Sequence, residues 1–315
     1  MSQIKILVCD QYTVESLQEL KTELPARIDI CGLQPTAAEL ADAQALLIRS
    51  RTPINAKTLD LAPNLKVIVT STSGYDHIDL SAAQARNVKV MYTPDANSQS
   101  AAELTLLLML ATLRRAGESD RALRDGKWKD HFPPGSELCG KTVGIIGLGR
   151  VGGKVARFVQ SFGARPVAFD PYQSDSVFLD LKITRMGLTE VLSQADIISM
   201  HIPLTEETRR MIRQETIEAA QEGVVFINTS RGKVVDESAL VQALTSGHIA
   251  AAGLDVYEHE PLARESKLRK MSNVVLTPHI GAYTEQAFRR ASFDAAQKVI
   301  AFFKDGKISD NLPPQ

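Results

Sequence analysis

Charged and titratable side chains follow three apolar runs in the second half of the chain. An imidazole such as that of His279 titrates near neutral pH, so it can give or take a proton. The guanidinium of Arg231 can hold a carboxylate through two hydrogen bonds and polarise a carbonyl. With an orienting carboxylate, this set suits oxidation of a 2-hydroxy acid, whose hydroxyl loses a proton while C2 loses a hydride. The candidate side chains are Arg231, Asp255, Glu258, His259, Glu260 and His279.

Other interpretations of the single residues stay open. A histidine at a strand end is often structural, and an arginine there is often a surface or capping group. His259 lies next to Glu260 and is a second candidate for the base. His201, which follows the apolar run Asp196–Met200, is better interpreted as lining a cofactor cleft. The active-site interpretation therefore depends on the coincidence of these residues with a nucleotide-binding motif.

A glycine-rich turn supplies that motif. Gly147, Gly149 and Gly152 form G-x-G-x-x-G between a predicted strand, Thr142–Ile146, and a predicted helix, Gly153–Phe162. The first glycine allows a tight turn, the second lets the backbone approach a pyrophosphate, and the third lets helix and strand pack closely. The N-terminus of the helix offers unsatisfied N–H groups to the phosphates. The pattern therefore predicts a dinucleotide site.

An acidic residue after the next strand indicates which dinucleotide binds. The predicted strand Pro166–Phe169 ends at Asp170. A carboxylate at this point can accept hydrogen bonds from both ribose hydroxyls of the adenosine half. It would also repel a 2′-phosphate, so Asp170 favours NAD over NADP as the cofactor.

The elements that must position these residues alternate between short apolar runs and amphipathic stretches, which is typical of parallel α/β architecture. Two α/β domains of unequal size are predicted, because 315 residues are long for a single core. A long apolar helix is predicted after Asn97, with Ser100–Glu103 as its capping signal. A last helix, roughly Thr284–Lys304, precedes a Pro-containing tail. The predicted strands are Ile4–Cys9, Ile28–Cys31, Ala45–Arg49, Lys66–Thr70 and Val88–Met91, then Thr142–Ile146, Pro166–Phe169, Asp196–Met200, Val224–Asn228, Ile249–Leu254 and Asn273–Thr277.

Composition argues against several classes of partner. Lys plus Arg number 36 against 37 Asp plus Glu, a formal net charge of −1, so neither a nucleic acid nor a membrane is expected as a partner. The apolar stretch Leu104–Leu110 is too short to span a bilayer, and no signal segment precedes Ile4. The 3 cysteines lack C-x-x-C spacing and the histidines lack H-E-x-x-H spacing. We therefore expect no disulfide framework, no metal site and a cytoplasmic location.

Five ordered motifs resemble those of the D-isomer-specific 2-hydroxyacid dehydrogenase family. The resemblance covers essentially the whole chain and, within the family, is greatest to phosphoglycerate dehydrogenases without a C-terminal regulatory domain. It implies a Rossmann-type NAD-binding domain over 99–284 and a discontinuous, flavodoxin-like substrate-binding domain over 1–98 and 285–315. It also implies a homodimer formed through the NAD-binding domain. The motifs are Gly147–Gly152, His201–Leu204, Asn228–Gly232, Gly253–Pro261 and Thr277–Gly281.

The resemblance also implies roles for individual positions. Arg231 matches the arginine that anchors the substrate, Glu260 matches the carboxylate paired with the catalytic histidine, and His279 matches the acid/base. Asp255 matches the residue that faces the nicotinamide side. The implied NAD-binding residues are Gly147, Gly149, Arg150, Val151, Gly152, Asp170, His201, Pro203, Thr208, Thr229, Asp255 and Gly281, and the implied substrate-binding residues are Arg49, Arg51, Ser73, Gly74 and Asn97.

Substrate selection is expected to depend on the first domain. The predicted strand Ala45–Arg49 ends at Arg49, and Arg51 follows two residues later. Both resemble the phosphate-binding arginines of phosphoglycerate dehydrogenases, but they could also be ordinary solvated charges. The resemblance implies NAD-dependent hydride transfer between 3-phosphoglycerate and 3-phosphohydroxypyruvate, a step of serine biosynthesis. Thr70 and Tyr283 depart from the family pattern, where some members have arginine at the first position and a small residue is commoner at the second. The alternatives are a hydroxypyruvate or glyoxylate reductase and, in another class, an NAD(H)-sensing corepressor-like binding protein.

Overall fold

The structure of the protein, a computed structural model, describes residues 3–312. Strands and helices alternate along most of the described chain. Short 3₁₀ helices occur at Lys129–His131, Gly232–Val234 and Lys267–Lys270. In chain order the elements are β1 Ile4–Val8, α1 Val14–Glu23, β2 Ala26–Ile30, α2 Ala37–Leu40, β3 Ala45–Ile48, α3 Ala56–Asp60, β4 Val67–Thr70, α4 Leu80–Ala85, β5 Lys89–Tyr92, α5 Ser98–Leu113, α6 Ala116–Arg124, β6 Thr142–Ile146, α7 Arg150–Ser161, β7 Arg165–Phe169, α8 Asp175–Leu181, β8 Thr184–Arg185, α9 Leu188–Gln194, β9 Ile197–Met200, α10 Gln214–Glu218, β10 Val224–Asn228, α11 Glu237–Ser246, β11 Ile249–Leu254, β12 Val274–Leu276, α12 Glu285–Asp305 and β13 Asn311–Leu312.

These elements divide into two compact units. The first unit contains the residues up to Asn97 and those from Tyr283 onward, and the second contains Ser98–Ala282. The first unit is therefore discontinuous in sequence. Its role as the substrate-binding domain stays a prediction.

The sheet of the first unit has the strand order β13-β5-β4-β3-β1-β2. Strands β1 to β5 run parallel in the order 2-1-3-4-5, which is that of flavodoxin-like doubly wound folds and confirms the predicted class. Strands β3 and β4 are buried along their whole length, because helices cover both faces of the sheet. Strand β13 pairs antiparallel with β5 and was not predicted, because two residues carry no periodic signal.

The last helix, α12, packs on α1 in the first unit. The hydroxyl of Thr284 caps α12 by accepting from the N–H of Ala287 at 3.1 Å. The N–H of Thr13, the residue before α1, donates to Oγ of Ser292 at 3.4 Å. The helix ends at Asp305 and is followed by Gly306, whose φ of 65° lies in the left-handed region that favours glycine. A segment from the end of the chain thus completes the core of the first unit.

The sheet of the second unit has the strand order β12-β11-β10-β9-β6-β7-β8, with every pair parallel. Counted from β6, this is the 3-2-1-4-5-6 order of the Rossmann fold with one further strand, which confirms the second predicted class. The apolar helix α5 packs closely on β11 at Gly253. A Cβ at that glycine would lie 3.0 Å from Oγ1 of Thr112 in α5.

Several predicted boundaries differ from the observed ones. The strands β6, β10 and β11 coincide with their predictions, but the helix after the glycine turn begins at Arg150, three residues earlier than predicted. The predicted capping signal of the long helix is wrong, because α5 begins at Ser98 and already contains Ser100. The carboxylate of Glu103 accepts instead from Gln99 one turn earlier, at 2.8 Å. The prolines of the predicted tail lie outside the described residues.

Two kinds of feature are not found in the part of the chain that the structure describes. Among residues 3–312, no helix has both the length and the apolar character that a bilayer crossing needs. Within the same residues, no three side chains of His, Cys, Asp or Glu form a cluster that could hold a metal ion.

Candidate active site

His279 lies in a tight turn that follows β12. Its φ is 55°, a left-handed conformation that a non-glycine residue keeps only when surrounding contacts hold it there. The N–H of His279 provides such contacts, because it donates to the carbonyl oxygens of Asp255 at 2.9 Å and Thr277 at 3.1 Å. The imidazole is therefore held at the carboxyl edge of the second sheet.

The imidazole of His279 is paired with Glu260. Its Nδ1 lies 2.7 Å from Oε2 of Glu260, and Oε1 of the same carboxylate accepts from the N–H of Tyr257 at 3.1 Å. Nδ1 therefore donates to the carboxylate, and Nε2 is the ring atom that remains for exchange of a proton. The side chain of His279 is 48% exposed, so a small molecule can reach it.

This pair shifts the pKa of both groups. The hydrogen bond that His279 donates to Glu260 raises the pKa of His279 and outweighs the lowering effects of burial and of the Arg231 charge. Burial opposes ionisation of Glu260, but the hydrogen bond and charge of His279 outweigh burial and hold the pKa of Glu260 below its ordinary value. Glu260 is thus a carboxylate at neutral pH, and it favours the imidazolium form of His279.

Asp255 organises the turn that carries His279. Its side chain is fully buried, and its Oδ1 accepts from Oγ1 of Thr277 at 2.6 Å and from the N–H of Ile280 at 2.8 Å. Its Oδ2 accepts from the N–H of Gly281 at 2.8 Å. Burial raises the pKa of Asp255, and these hydrogen bonds oppose that rise. The structure thus gives Asp255 a positioning role, and its contact with the nicotinamide side stays a prediction.

The loop that carries Arg231 follows β10 and is closed by Asn228, whose Nδ2 donates to the carbonyl oxygen of Arg231 at 3.0 Å. The next residue, Gly232, packs against the segment that leads to Glu260. A Cβ at Gly232 would lie 1.9 Å from the carbonyl carbon of Tyr257, so only glycine allows this approach. The second unit therefore brings the loop of Arg231 together with Glu260 and its partner histidine, while the catalytic roles of the three stay predictions.

The glycine turn between β6 and α7 has the shape that a pyrophosphate requires. A Cβ at Gly152 would lie 2.0 Å from the carbonyl oxygen of Gly147, which itself has a φ of 93°. Both glycines are therefore needed for the turn to fold. At Gly149 a Cβ would meet no atom of the described chain within 4 Å, so the turn faces open space there. This open face beside the first N–H groups of α7 fits the phosphates of a dinucleotide.

Asp170, at the end of β7, is tied to the same turn. Its Oδ2 accepts from the N–H of Leu148 at 2.8 Å, and its Oδ1 accepts from the N–H groups of Tyr172 at 2.9 Å and Gln173 at 3.2 Å. A carboxylate offers about four acceptor positions, so three backbone donors leave little capacity for a ribose. Asp170 is thus close to the glycine turn, as predicted, and it has a structural task that was not predicted.

The loop after β9 contains the predicted residues His201, Pro203 and Thr208. Burial lowers the pKa of His201 to about 3, and its Nε2 lies 2.9 Å from Oγ of Ser199. His201 is therefore neutral at physiological pH and unsuited to act as the acid. Oγ1 of Thr208 donates to the carbonyl oxygen of Pro203 at 2.6 Å and closes the loop. Contact of this loop with NAD stays a prediction.

The remaining predicted NAD contacts also lie in the second unit. Arg150 and Val151 form the first turn of α7. Oγ1 of Thr229, directly after β10, lies 2.7 Å from Oγ1 of Thr105 in α5. Gly281 ends the turn that carries His279, and its N–H donates to the buried carboxylate of Asp255. The structure places all of these residues at the carboxyl edge of the second sheet.

Arg49, predicted to bind substrate, follows β3 in the first unit. Its guanidinium carbon lies 4.9 Å from the ring centre of Phe288, a cation–π contact. Its Nη1 is buried and has no hydrogen-bond partner among the described residues. Burial is the largest influence on this group and lowers the pKa of Arg49. A buried guanidinium N–H without a partner costs free energy, and a bound anion would remove that cost.

Arg51 has a different environment. Its Nη2 lies 2.7 Å from Oδ1 of Asp10, whose carboxylate is almost fully buried, while the arginine side chain is 61% exposed. The hydrogen bond that Arg51 donates to Asp10 raises the pKa of Arg51. Asp10 follows β1 at the same sheet edge and was missed as a site residue, although its position after a buried strand was a usable signal. Phe288 was missed because it lies in a distant helix.

The other predicted substrate residues lie in or beside the loop after β4. Nδ2 of Asn97 donates to Oγ of Ser73 at 3.1 Å. Oγ1 of Thr72 donates to the carbonyl oxygen of Gly74 at 2.6 Å and lies 2.7 Å from Oγ1 of Thr70. Thr70 is thus part of the network that shapes this loop. Binding of a substrate carboxylate by the loop stays a prediction.

Residues 106–281 match the family model described as "D-isomer specific 2-hydroxyacid dehydrogenase, NAD binding domain". The chain belongs to this family. Among its relatives is a D-3-phosphoglycerate dehydrogenase of Mycobacterium tuberculosis, which is 41% identical over 300 residues. That alignment covers 95% of this chain and 57% of the relative, so the chain spans little more than half the length of that protein.

Two further relatives match along nearly their full length. A hydroxypyruvate reductase of Thermotoga maritima is 37% identical over 303 residues, covering 95% of this chain and 98% of the relative. The crystal structure of the TT0316 protein from Thermus thermophilus superimposes with a TM-score of 0.89 at 33% identity, covering 98% of this chain and 100% of that one. The predicted family and the NAD-binding nature of the second unit are thereby confirmed.

Proposed function

We propose that the protein is an NAD-dependent oxidoreductase that transfers a hydride between the nicotinamide and a D-2-hydroxy acid or 2-keto acid. The observation that carries this proposal is the 2.7 Å contact between His279 and Glu260 in the unit whose glycine turn fits a dinucleotide. Membership of the 2-hydroxyacid dehydrogenase family supports it. NAD, when bound, supplies or accepts the hydride, and the side chains of this chain handle the proton and the substrate carboxylate.

His279 exchanges the proton. Reduction of a 2-keto acid places a proton on the carbonyl oxygen, and oxidation of the hydroxy acid removes it. Nε2 is the atom available for this exchange, because Glu260 holds Nδ1. The raised pKa of His279 keeps the imidazolium populated near neutral pH, as the reduction requires. The Nδ1–H bond to Glu260 persists in both protonation states, so the ring keeps its orientation through the cycle.

Arg231 anchors the substrate carboxylate. A guanidinium matches a carboxylate with two parallel hydrogen bonds and also stabilises negative charge on a nearby carbonyl oxygen. The backbone of its loop is held by Asn228 and by the close approach of Gly232 to Tyr257. This support restricts the positions that the guanidinium can take, which favours a fixed substrate orientation.

For the substrate, we propose 3-phosphoglycerate and 3-phosphohydroxypyruvate. Two features support this choice. The D-3-phosphoglycerate dehydrogenase of Mycobacterium tuberculosis is 41% identical over 95% of this chain. Arg49 also has a buried Nη1 without a partner among the described residues, and a phosphate would provide one.

A hydroxypyruvate or glyoxylate reductase is the second candidate. Arg51, the other predicted phosphate ligand, is bound to Asp10, and that carboxylate would repel a phosphate brought to the same guanidinium. The hydroxypyruvate reductase of Thermotoga maritima matches over 98% of its own length, whereas the phosphoglycerate dehydrogenase extends well beyond the match. These observations favour an unphosphorylated 2-keto acid.

Turnover of three 2-keto acids with NADH separates the candidates. We expect kcat/KM to be clearly higher for 3-phosphohydroxypyruvate than for hydroxypyruvate or glyoxylate. Arg49→Ala should raise KM for the phosphorylated substrate by about tenfold, the loss of one charged hydrogen bond, and should leave KM for glyoxylate unchanged. Arg51→Ala should have a smaller effect, because Arg51 is already paired. Arg27→Ala, which removes another paired arginine of the same unit, is the control.

Equal kcat/KM for phosphorylated and unphosphorylated substrates, unaffected by Arg49→Ala, would refute the phosphoglycerate assignment and favour the reductase. No turnover with any 2-keto acid, despite binding of NADH, would refute both and favour an NAD(H)-sensing binding protein.

We further infer that the discontinuous first unit binds the substrate. We also infer that two copies of the chain associate through the NAD-binding unit. Apolar side chains supporting the association are strongly exposed on and after α5 and α6, namely Leu107 at 58%, Leu123 at 60% and Trp128 at 63%. Light scattering should give the mass of a dimer for the wild type and of a monomer for Leu107→Glu. Leu179→Glu changes another exposed leucine of the same unit, on α8, and should leave the dimer intact.

A further inference from the structure

A pair of side chains links the two loops that flank the glycine turn. The hydroxyl of Tyr172, after β7, donates to Oε2 of Glu207, in the loop after β9. Strand β6 lies between β7 and β9 in the sheet. The pair therefore spans the carboxyl end of the strand that leads into the glycine turn, where the adenosine half of a dinucleotide is expected.

The fold has little need of this pair. Tyr172 is 78% exposed and Glu207 is exposed as well, and a hydrogen bond between two exposed side chains adds little stability. The loop of Glu207 is closed by Thr208, whose Oγ1 accepts from the N–H of Thr205 at 2.8 Å. The turn of Tyr172 is held by Asp170 through the N–H of Tyr172. Two loops fixed independently thus present the pair at the surface.

Asp170 by itself has limited capacity to accept further hydrogen bonds from the adenosine ribose. Its carboxylate already accepts from three backbone N–H groups, so about one acceptor position remains for the two hydroxyls of the adenosine ribose. Glu207 is joined to Asp170 through a single residue, since the N–H of Tyr172 binds Asp170 and its hydroxyl binds Glu207. Tyr172 therefore connects the two carboxylates through its backbone and its side chain.

The charge of Glu207 is not balanced by the partner that holds it. Its neighbour Glu206 forms an ion pair with Arg209 at 3.3 Å, whereas Glu207 binds the neutral phenol of Tyr172. The nearby cation Arg185 is engaged by Asp175 and by the carbonyl oxygen of Asp170. The surface formed by Tyr172 and Glu207 thus presents negative charge. The hydrogen bond and charge of Glu207 raise the pKa of the Tyr172 phenol.

We propose that Tyr172 and Glu207 form a wall of the adenosine pocket, and that Glu207 is a second carboxylate, beside Asp170, that selects against the 2′-phosphate of NADP. Tyr172 is a positioning residue in this arrangement, because its hydroxyl fixes the carboxylate of Glu207. The proposal concerns the NAD-binding unit alone and holds whichever 2-keto acid is the substrate.

Binding of ADP-ribose and 2′-phospho-ADP-ribose to the full chain, measured by calorimetry, tests the proposal without catalysis. The wild type should bind ADP-ribose more tightly. Glu207→Gln removes one charge at the pocket and should tighten binding of 2′-phospho-ADP-ribose by about tenfold, with Kd for ADP-ribose changed by less than about threefold. Glu206→Gln makes the same change of net charge one residue away and should leave the ratio of the two Kd values as in the wild type.

Two more variants separate charge from position. Tyr172→Phe keeps the carboxylate of Glu207 but removes the hydroxyl that holds it. The preference for ADP-ribose over 2′-phospho-ADP-ribose should therefore decrease, but by less than in Glu207→Gln. The double variant Asp170→Asn with Glu207→Gln should bind 2′-phospho-ADP-ribose more tightly than either single variant. If Glu207→Gln and Glu206→Gln give the same ratio in folded protein, as judged by circular dichroism, the proposal is wrong.

Discussion

Replacement of Glu260 by glutamine tests the proton relay directly. The variant keeps the shape of the side chain but removes the charge that faces Nδ1 of His279 at 2.7 Å. A hydrogen bond to a charged group contributes about 1.5–3 kcal/mol. Because the imidazole is 48% exposed, the lower figure applies, and it corresponds to a loss of about tenfold in kcat/KM. Removal of the ring in His279→Ala should cost more, about 10²–10⁴-fold.

The loss in Glu260→Gln should depend on pH with a definite sign. In the wild type, Glu260 raises the pKa of His279, so the imidazolium needed for reduction of a 2-keto acid persists to higher pH. Without that charge the ring loses its proton at lower pH. The falling limb of kcat/KM for reduction should therefore move to lower pH, and the deficit of the variant should grow as pH rises and shrink under acidic conditions.

Steady-state oxidation of NADH, followed by absorbance from about pH 5 to 9, measures this limb. His259→Ala is the matched control, since it truncates the histidine next to Glu260 and should leave the profile unchanged. Binding of NADH, followed by fluorescence, should be retained in all three variants. The assignment of His279 as the base would be refuted if the falling limb of kcat/KM did not move in Glu260→Gln. It would also be refuted if His259→Ala lost as much kcat/KM as His279→Ala.

Three further predictions follow from the backbone of the site. Gly232→Ala places a Cβ 1.9 Å from the backbone of Tyr257, so the free energy of unfolding in urea should fall by about 1–3 kcal/mol. Gly149→Ala meets no described atom within 4 Å, so it should keep the urea midpoint and weaken NADH binding by about tenfold or more; unchanged binding would argue against a pyrophosphate there. Asp255→Asn sets an amide among N–H donors and should lower the free energy of unfolding by about 1–3 kcal/mol, and an unchanged urea midpoint would contradict its positioning role.

The sheet architecture was predictable because burial leaves a mark in the sequence. Strands covered on both faces consist of continuous apolar residues, as in β6 and β10, and their bounds coincide with the prediction. The glycine turn was predictable because the spacing of its glycines follows from steric limits. The structure shows these limits at Gly147 and Gly152, where a Cβ would clash with backbone atoms. Strands of two residues, such as β8 and β13, are too short to form a recognisable apolar run and were missed.

The partners of charged side chains could not be predicted in the same way. The residue types alone left His259 and His279 both open as the base, and the pairing with Glu260 followed only from the family resemblance. Arg49 and Arg51 looked equivalent in sequence, but the first stacks on a ring from α12 and the second pairs with an acid after β1. Such choices depend on which distant segments the fold brings together.

Carboxylates at strand ends show most clearly that the partners of charged side chains cannot be predicted from sequence alone. Asp170 and Asp255 both follow buried strands, a position that predicts contact with a ligand. In the structure each carboxylate mainly accepts from backbone N–H groups of the turn beside it. An acid that builds a turn and an acid that binds a ligand are alike in sequence, because both need the same place after a strand. Backbone N–H groups occupy most acceptor positions of Asp170, and Glu207, which accepts from the hydroxyl of Tyr172 at the same edge, is the second acid that we propose for selection of the cofactor.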